Sequence, residues 1–236
     1  MDDAMLLLES LSLKAFNLWA KSRGYLFGLA SAPAEIEQAL SCRRQVYLDS
    51  GYIKPGGNQT GQNADPDDMH AAIFFARWQD QCAGTMRLIP YCEDLPTLRL
   101  FNTRLPAWAD RKASAEFGRY AVAHSFRGRE RYASLGLAGA CYQHSLRTGI
   151  RWWIGYAPVA LLESFGAFIP GWQVLPEESP DERHLSARES LAGYFSRYGS
   201  TVKPFIIDVW QITWTKCLLR MARQGFIHRS AKGAET

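Results

Sequence analysis

Two short stretches of the sequence combine charged side chains with strand-forming residues. They are residues 84–90 (GTMRLIP) and residues 116–122 (EFGRYAV). Glu116 can accept a proton from an ammonium group, directly or through a water molecule, if burial raises its pKa above the ordinary value of about 4.3. Arg87 presents a planar fork of donors that suits a carboxylate, either on a bound acceptor molecule or on a bracing acidic residue. These residue types can exchange a proton and bind a carboxylate.

Glu116 is three positions from Arg119, so a regular strand would direct the two side chains to opposite faces. Both can serve one pocket only if a β-bulge or a residue of another strand intervenes. The structural alternative is an ion pair of Glu116 with Arg119 or Arg87 that merely braces two strands. His124, just past the second stretch, is a further candidate base.

Hydrophobic periodicity predicts the elements that carry these residues. Antiparallel strands followed by a strand–helix–strand–helix unit predict an α+β fold, with a central mixed sheet flanked by helices. The predicted strands are 25–30, 71–78, 83–90, 115–122 and 150–156, and the predicted helices are 5–23, 31–49, 132–148, 159–165, 185–198 and 206–223. We divide the chain into an N-terminal helix (1–24), a main domain (25–175) and a C-terminal helical extension packed on it (176–236).

Composition excludes several classes of protein. The 236 residues are 47% apolar, enough for one sizeable core. No apolar stretch reaches the length of a spanning helix, and the acidic start argues against a signal peptide. Five scattered cysteines without a CxxC pair predict reduced thiols in a cytoplasmic protein without a metal site. The net charge of +4 allows a local anion site but does not favour a nucleic-acid partner.

Two further segments complete a resemblance to a known family. Residues 43–47 (RRQVY) lie on a predicted helix, and residues 65–68 (DPDD) precede the first strand of the hairpin. With the two strand motifs, G-x-x-R-L and E-x-x-R-x-A-V, these segments resemble the acyl-homoserine-lactone (autoinducer) synthases and the long-chain N-acyl amino acid synthases. Both are branches of the GNAT N-acyltransferase fold. The resemblance covers residues 25–170, and the pairing of the two strand motifs is its most specific part.

The resemblance implies a GNAT-like enzyme that moves a fatty-acyl group from an acyl carrier protein or coenzyme A thioester to the amine of an amino acid or related metabolite. Such a transfer needs alignment and a polarised carbonyl, but no metal, permanently bound cofactor or covalent intermediate. The implied catalytic residues are Glu116, Arg119 and Arg87. The implied substrate-binding residues are Arg43, Tyr47, Asp65, Asp68, Val122, Ala123 and Tyr156.

Three details of the binding site follow. The acyl thioester is expected in a gap between the strands 116–122 and 150–156, with backbone N–H groups of Val122 or Ala123 stabilising the oxyanion. The turn of Arg127, Gly128 and Arg129 precedes a helix and is predicted to bind the phosphate of phosphopantetheine. Segment 159–166 lacks the tyrosine with which many GNAT enzymes protonate the leaving thiolate, a step that Tyr156 could assist.

Three other functions stay open. One is an acyl-homoserine-lactone synthase that uses S-adenosylmethionine as the acceptor. Another is a non-catalytic module that binds acyl groups or a carrier protein. The third is a nucleic-acid binder that uses the arginine-rich turn, which the interspersed acidic residues disfavour.

Overall fold

The computed structural model describes residues 3–53, 65–126, 131–166, 171–178, 193, 195 and 201–223. Its helices are α1 (Asp3–Ser22), α2 (Pro33–Asp49), α3 (Pro96–Phe101), α4 (Arg131–Thr148), α5 (Val159–Gly166) and α6 (Trp214–Arg223). Its strands are β1 (Tyr25–Leu29), β2 (Ala72–Trp78), β3 (Gln81–Pro90), β4 (Ser114–Val122), β5 (Trp152–Pro158), β6 (Trp172–Val174) and β7 (Val202–Asp208). No described helix has both the length and the apolar character that crossing a bilayer requires.

The strands form one mixed seven-stranded sheet in the order β1-β2-β3-β4-β5-β7-β6. Strands β4 and β5 pair in parallel, and the other described pairs are antiparallel. Helix α4 covers one face of the sheet and α2 covers the other. Successive side chains of β2 pack on opposite faces of the sheet. Phe74 joins the core beneath α4, whereas Ile73 and Phe75 pack beneath α2. The predicted α+β class is confirmed.

The parallel pair opens into a gap. Strands β4 and β5 share only three register pairs, Ser114↔Trp152, Ala115↔Trp153 and Glu116↔Ile154. Beyond Glu116 both strands continue without pairing to each other, while β5 stays paired with β7 along its whole length. The gap predicted between these two strands is therefore present, and Glu116 stands at its closed end.

A β-bulge lies in β4 immediately beyond that point. The register with β3 passes from Arg87↔Gly118 to Thr85↔Ala121, so two residues of β4 oppose one residue of β3. Arg119 adopts a left-handed backbone conformation there, with φ of 53°. The bulge reverses the alternation of side chains: the hydroxyl of Tyr120 bonds to Ser134 of α4, and Arg119 lies on the α2 face with Glu116. One of the two arrangements predicted to unite Glu116 and Arg119 is thus confirmed.

The C-terminal part of the chain differs from its prediction. Residues 206–208 were expected to begin a helix, but they end β7, which lies between β5 and β6. The run Phe205–Asp208 is buried throughout and rich in β-branched residues, a pattern that periodicity alone does not separate from a buried helix. The later part of the predicted helix is confirmed as α6. The helix predicted over 185–198 lies largely outside the described residues.

Gly155 allows β4 and β5 to approach each other at the closed end of the gap. A Cβ at this position would lie 2.5 Å from the backbone oxygen of Phe117 and 2.9 Å from the ring of Phe205. We expect Gly155→Ala to lower the free energy of unfolding by about 1–3 kcal/mol, because the strands must separate. Gly28→Ala is the matched control, since its new Cβ would meet only the ring of Phe75 at 3.8 Å. Equal urea midpoints for the two variants would contradict this account.

Candidate active site

Three arginines and two aspartates form a connected cluster on the α2 face of the sheet. Arg87 Nη1 lies 2.7 Å from Asp65 Oδ1 and 2.8 Å from Asp68 Oδ1. Arg43 makes a bidentate pair with Asp68, and Arg119 Nη2 lies 2.7 Å from Asp65 Oδ2. Each aspartate is therefore shared by two arginines, and the cluster joins α2, the segment before β2, β3 and β4.

Local backbone structure places the two aspartates. Asp65 is the N-cap of a short 3-10 helix, Pro66–His70, and its side chain accepts the N–H of Asp67 at 2.9 Å. The side chain of Asp68 reaches back to the N–H of Asp65 at 2.8 Å. This reciprocal capping orients both carboxylates through local backbone hydrogen bonds, in addition to their ion pairs with the arginines. Residues 65–68, identified from their acidic composition, are thus a capping motif as well as a charge pair.

The exposed fractions of the arginine side chains distinguish the arginine at the gap from the buried ones. The Arg87 side chain is only 2% exposed and is held by Asp65 and Asp68, so it braces the cluster from within. The Arg119 side chain is 22% exposed, and its buried Nε–H has no hydrogen-bond partner in the structure. The cluster contains three guanidinium groups and two carboxylates, so its net charge is +1. Because Arg119 is the partly exposed arginine, we assign the uncompensated positive charge to Arg119.

The charges in the cluster hold Asp68 ionised. Burial opposes the ionisation of Asp68, but its hydrogen bonds to Arg43 and Arg87 and their positive charges outweigh burial and lower its pKa. Buried arginines also need a carboxylate partner to offset their own desolvation. Arg43 is 4% exposed and Arg87 is 2% exposed, so the network contributes to the fold as well as to the site.

Glu116 is buried beside this cluster, at 3% exposure. Its Oε2 accepts the backbone N–H of Thr97 at 2.7 Å, from the first turn of α3. Burial raises the pKa of Glu116 to about 7, while the hydrogen bond from the backbone N–H of Thr97 and the charges of Arg87 and Arg119 limit the rise. In the described part of the chain, no lysine or arginine lies within 4.0 Å of this carboxylate. The bracing ion pair considered as the alternative is therefore not formed, and Glu116 can exchange a proton near neutral pH.

Tyrosines surround Arg119 at the gap. Tyr47 lies on α2 and Tyr156 lies on β5. Burial raises the pKa of both, and the charge of Arg119 partly opposes the rise, so both stay phenols at neutral pH. The rings of Tyr47 and Tyr52 lie 4.9 Å apart. These three tyrosines therefore lie close enough to Arg119 to interact with its charge.

Two residues of the site were missed by sequence reasoning. Thr97 contributes a backbone group, which no side-chain pattern reveals; only Pro96 before it signals the start of a helix. Its own hydroxyl is buried without a partner. Tyr52 follows α2 directly, and only the folded chain brings it to Arg119.

One predicted oxyanion donor is wrong. The N–H of Ala123 donates to the carbonyl of Ala83 at 3.0 Å, so the antiparallel ladder with β3 already uses it. Successive residues of such a ladder direct their N–H groups to opposite sides, so the N–H of Val122 points to the side of β5. His124 is exposed on a short 3-10 helix. The turn of Arg127, Gly128 and Arg129 lies outside the described residues, and its phosphate role stays a prediction.

A mixed sheet opened between two parallel strands, with a buried carboxylate at the opening, defines an acyltransferase of the GNAT class. The comparisons with known proteins agree with this assignment. Residues 38–154, from α2 to β5, match the family model described as N-acyl amino acid synthase FeeM. No curated protein matches the chain by sequence. Among the described residues, no group of histidine, cysteine, aspartate and glutamate could hold a metal ion.

Solved structures share the fold at low sequence identity. FeeM, an N-acyl amino acid synthase from uncultured soil microbes, is 17% identical with a TM-score of 0.53, over 79% of this chain and 93% of that chain. The CoA-dependent acyl-homoserine lactone synthase BjaI, solved with MTA, is 17% identical with a TM-score of 0.57, over 86% and 90%. A putative N-acetyltransferase from Lactobacillus plantarum is 14% identical with a TM-score of 0.52, over 79% and 99%. The chain is an acyltransferase that resembles the N-acyl amino acid synthases.

Proposed function

We propose that this acyltransferase moves a fatty-acyl group from an acyl carrier protein or coenzyme A thioester to the α-amine of an amino acid. The observation that carries the proposal is the buried carboxylate of Glu116, with its pKa near 7, at the closed end of the gap between β4 and β5. The match of residues 38–154 to the FeeM family model supports an amino acid as the acceptor.

In the proposed reaction Glu116 takes one proton from the ammonium group of the acceptor. The free amine then attacks the thioester carbonyl in the gap, and we assign stabilisation of the oxyanion to the N–H of Val122. Collapse of the tetrahedral intermediate completes the C–N bond and breaks the C–S bond. The nitrogen releases its second proton to solvent as the amide forms, and the proton held by Glu116 passes to the leaving thiolate, whose conjugate acid has a pKa near 8–9 and needs no strong acid.

The cluster favours an acceptor with a carboxylate. Arg119 carries the surplus positive charge, its side chain has an exposed portion, and its Nε–H lacks an acceptor. An unsatisfied buried donor costs free energy that an incoming carboxylate or water would recover. Because the bulge places Arg119 on the same face as Glu116, a carboxylate at Arg119 would bring the adjacent α-amine toward Glu116.

The decisive experiment compares acceptors and donors directly. The purified chain is incubated with a long-chain acyl-CoA or acyl carrier protein thioester and either an amino-acid mixture or S-adenosylmethionine. Free thiol is measured with a chromogenic disulfide reagent, and products are identified by mass spectrometry. We expect thiol release with the amino acids and an N-acyl amino acid product. An acyl-homoserine lactone formed from S-adenosylmethionine would replace this proposal with the autoinducer-synthase alternative, and binding without thiol release would refute transfer to either acceptor.

The pH dependence of the reaction should report Glu116. Its carboxyl must be ionised to accept a proton, and burial places its pKa at about 7. We therefore expect kcat/KM to rise with pH up to an inflection near pH 7. The pH profile of the residual kcat/KM of Glu116→Gln should lack the inflection near pH 7. Titration of the acceptor amine contributes to the profiles of both proteins, so it does not affect this comparison. The same inflection in both proteins would assign the titration to another group.

A further inference from the structure

Helix α1 is apolar on two opposite sides. Its inner side is fully packed, with Leu13 2%, Phe16 6% and Ala20 0% exposed in the main core. On its outer side Leu7 is 62%, Leu11 53% and Leu18 70% exposed. Spacings of four and seven residues place these three leucines in one line along the helix. A surface helix ordinarily presents polar residues there, so this line requires an explanation.

The charged side chains described on this line of α1 are both lysines. Lys14 lies on the same line between Leu11 and Leu18, and Lys21 lies about one turn beyond Leu18. The only acidic side chain described in α1 is Glu9, which is 0% exposed and accepts hydrogen bonds from Thr215 of α6. The exposed side chains described in α1 thus include leucines and lysines but no carboxylate.

Helix α6 packs beside α1 and has the same character. Its Leu219 is 55% exposed, Lys216 is exposed, and its sequence contains no acidic residue. A second copy of the chain fits this surface poorly. A two-fold interface would bring two lysine-bearing lines together, and the side chains described in α1 and α6 include no exposed carboxylate to offset the repulsion.

We propose that the outer face of α1 docks on an anionic lipid surface. Leucines in a line can enter the boundary between headgroups and acyl chains, while lysines on the same helix extend to lipid phosphates. Each basic residue near an anionic membrane adds to the attraction, so both the apolar and the charged parts of the face are used. The helix lies in the plane of the membrane and does not cross it. This inference is independent of the acyl acceptor.

The test is flotation of the full-length chain with vesicles. We compare pure phosphatidylcholine vesicles with vesicles containing about 30 mol % phosphatidylglycerol, since the negative surface potential is the variable. The chain should bind the anionic vesicles, and added salt should weaken binding by screening. Leu11→Ser with Leu18→Ser should reduce partitioning at least about tenfold. Leu26→Ser with Leu29→Ser, at residues 40% and 43% exposed on β1, is the matched control and should bind like wild type.

A second variant tests the charged part of the face. Lys14→Glu with Lys21→Glu keeps all leucines, and should also reduce binding to anionic vesicles about tenfold or more. Far-UV circular dichroism and thiol release should show that each variant is folded and active. Wild-type failure to float with anionic vesicles, or full binding by folded leucine and lysine variants, would refute the proposal. The chain could instead self-associate in light scattering without binding vesicles. If the leucine variant abolished that self-association, the face would be assigned to a second copy.

Discussion

Replacing Glu116 with glutamine is expected to lower turnover by about 10²–10⁴-fold, the usual contribution of a general base. The same substitution is expected to make the folded protein more stable above pH 7. Loss of activity combined with gain of stability distinguishes a functional buried carboxylate from a structural one. Removal of a structural ion-pair partner would lower stability instead.

The direction of the stability change follows from the pKa. Burial raises the pKa of Glu116 from its ordinary 4.5 to about 7, so the folded state holds this proton more tightly than the unfolded state. Stability therefore falls as pH rises from 4.5 to 7 and stays lower above pH 7. That difference corresponds to about 3 kcal/mol. Glutamine stays neutral and can still accept the N–H of Thr97, so it avoids this loss.

Urea unfolding of wild type and Glu116→Gln at pH 5 and pH 8 provides the measurement. The variant should be the more stable protein at pH 8 by up to about 3 kcal/mol, and the difference should be small at pH 5. Glu163→Gln, the same chemical change at an exposed position of α5, is the control and should alter neither activity nor stability. Wild-type turnover in Glu116→Gln would remove the assignment of this residue as the base.

Substitution of Asp68 by asparagine should have the largest effect on stability. Asp68 accepts hydrogen bonds from Arg43 and Arg87, which are both buried, and the substitution leaves these guanidinium groups with too little negative charge. We expect a loss of about 3–5 kcal/mol in the free energy of unfolding at pH 7, as for other broken buried ion pairs. Activity should also fall, because Arg87 and Asp65 hold Arg119 through the same cluster.

The effect of Asp68 should disappear at low pH. Arg43 and Arg87 lower its pKa in the folded state despite burial, so its stabilisation is present above the ordinary pKa of 3.8 and is lost as pH falls through the lowered value. Asp94→Asn is the matched control, because Asp94 pairs with Arg99 at 2.7 Å but its side chain is 77% exposed. That exposed pair should contribute at most about 1 kcal/mol. Similar urea midpoints for both variants at pH 7 would show that the buried cluster does not stabilise the fold.

Several parts of the site follow from local sequence. Two apolar runs separated by a polar turn predict the hairpin of β2 and β3, and a third run predicts β4, so the positions of Arg87 and Glu116 on adjacent strands follow from residues nearby in the chain. The three-residue separation of Glu116 and Arg119 also indicates that a bulge or a partner strand must intervene. These predictions succeed because they depend on the alternation of side chains within one strand.

Other parts depend on contacts between distant residues. Strand β7 pairs with β5 although about 50 residues separate their sequences, and a buried apolar run does not by itself specify a strand. The oxyanion role predicted for Ala123 fails because pairing with Ala83 uses its N–H. The roles of Thr97 and Tyr52 likewise require the folded chain.

By itself the sequence determined the carboxylate, the arginines and the strands on which they lie, because side-chain chemistry and strand periodicity are local properties. Tertiary structure decided which arginine is buried as a brace and which faces the gap. It also decided that Glu116 meets a backbone N–H instead of an arginine, and that its pKa therefore lies near neutrality. Burial and hydrogen bonding depend on every element packed around a group, so they exist only once the sheet and both helical layers have assembled.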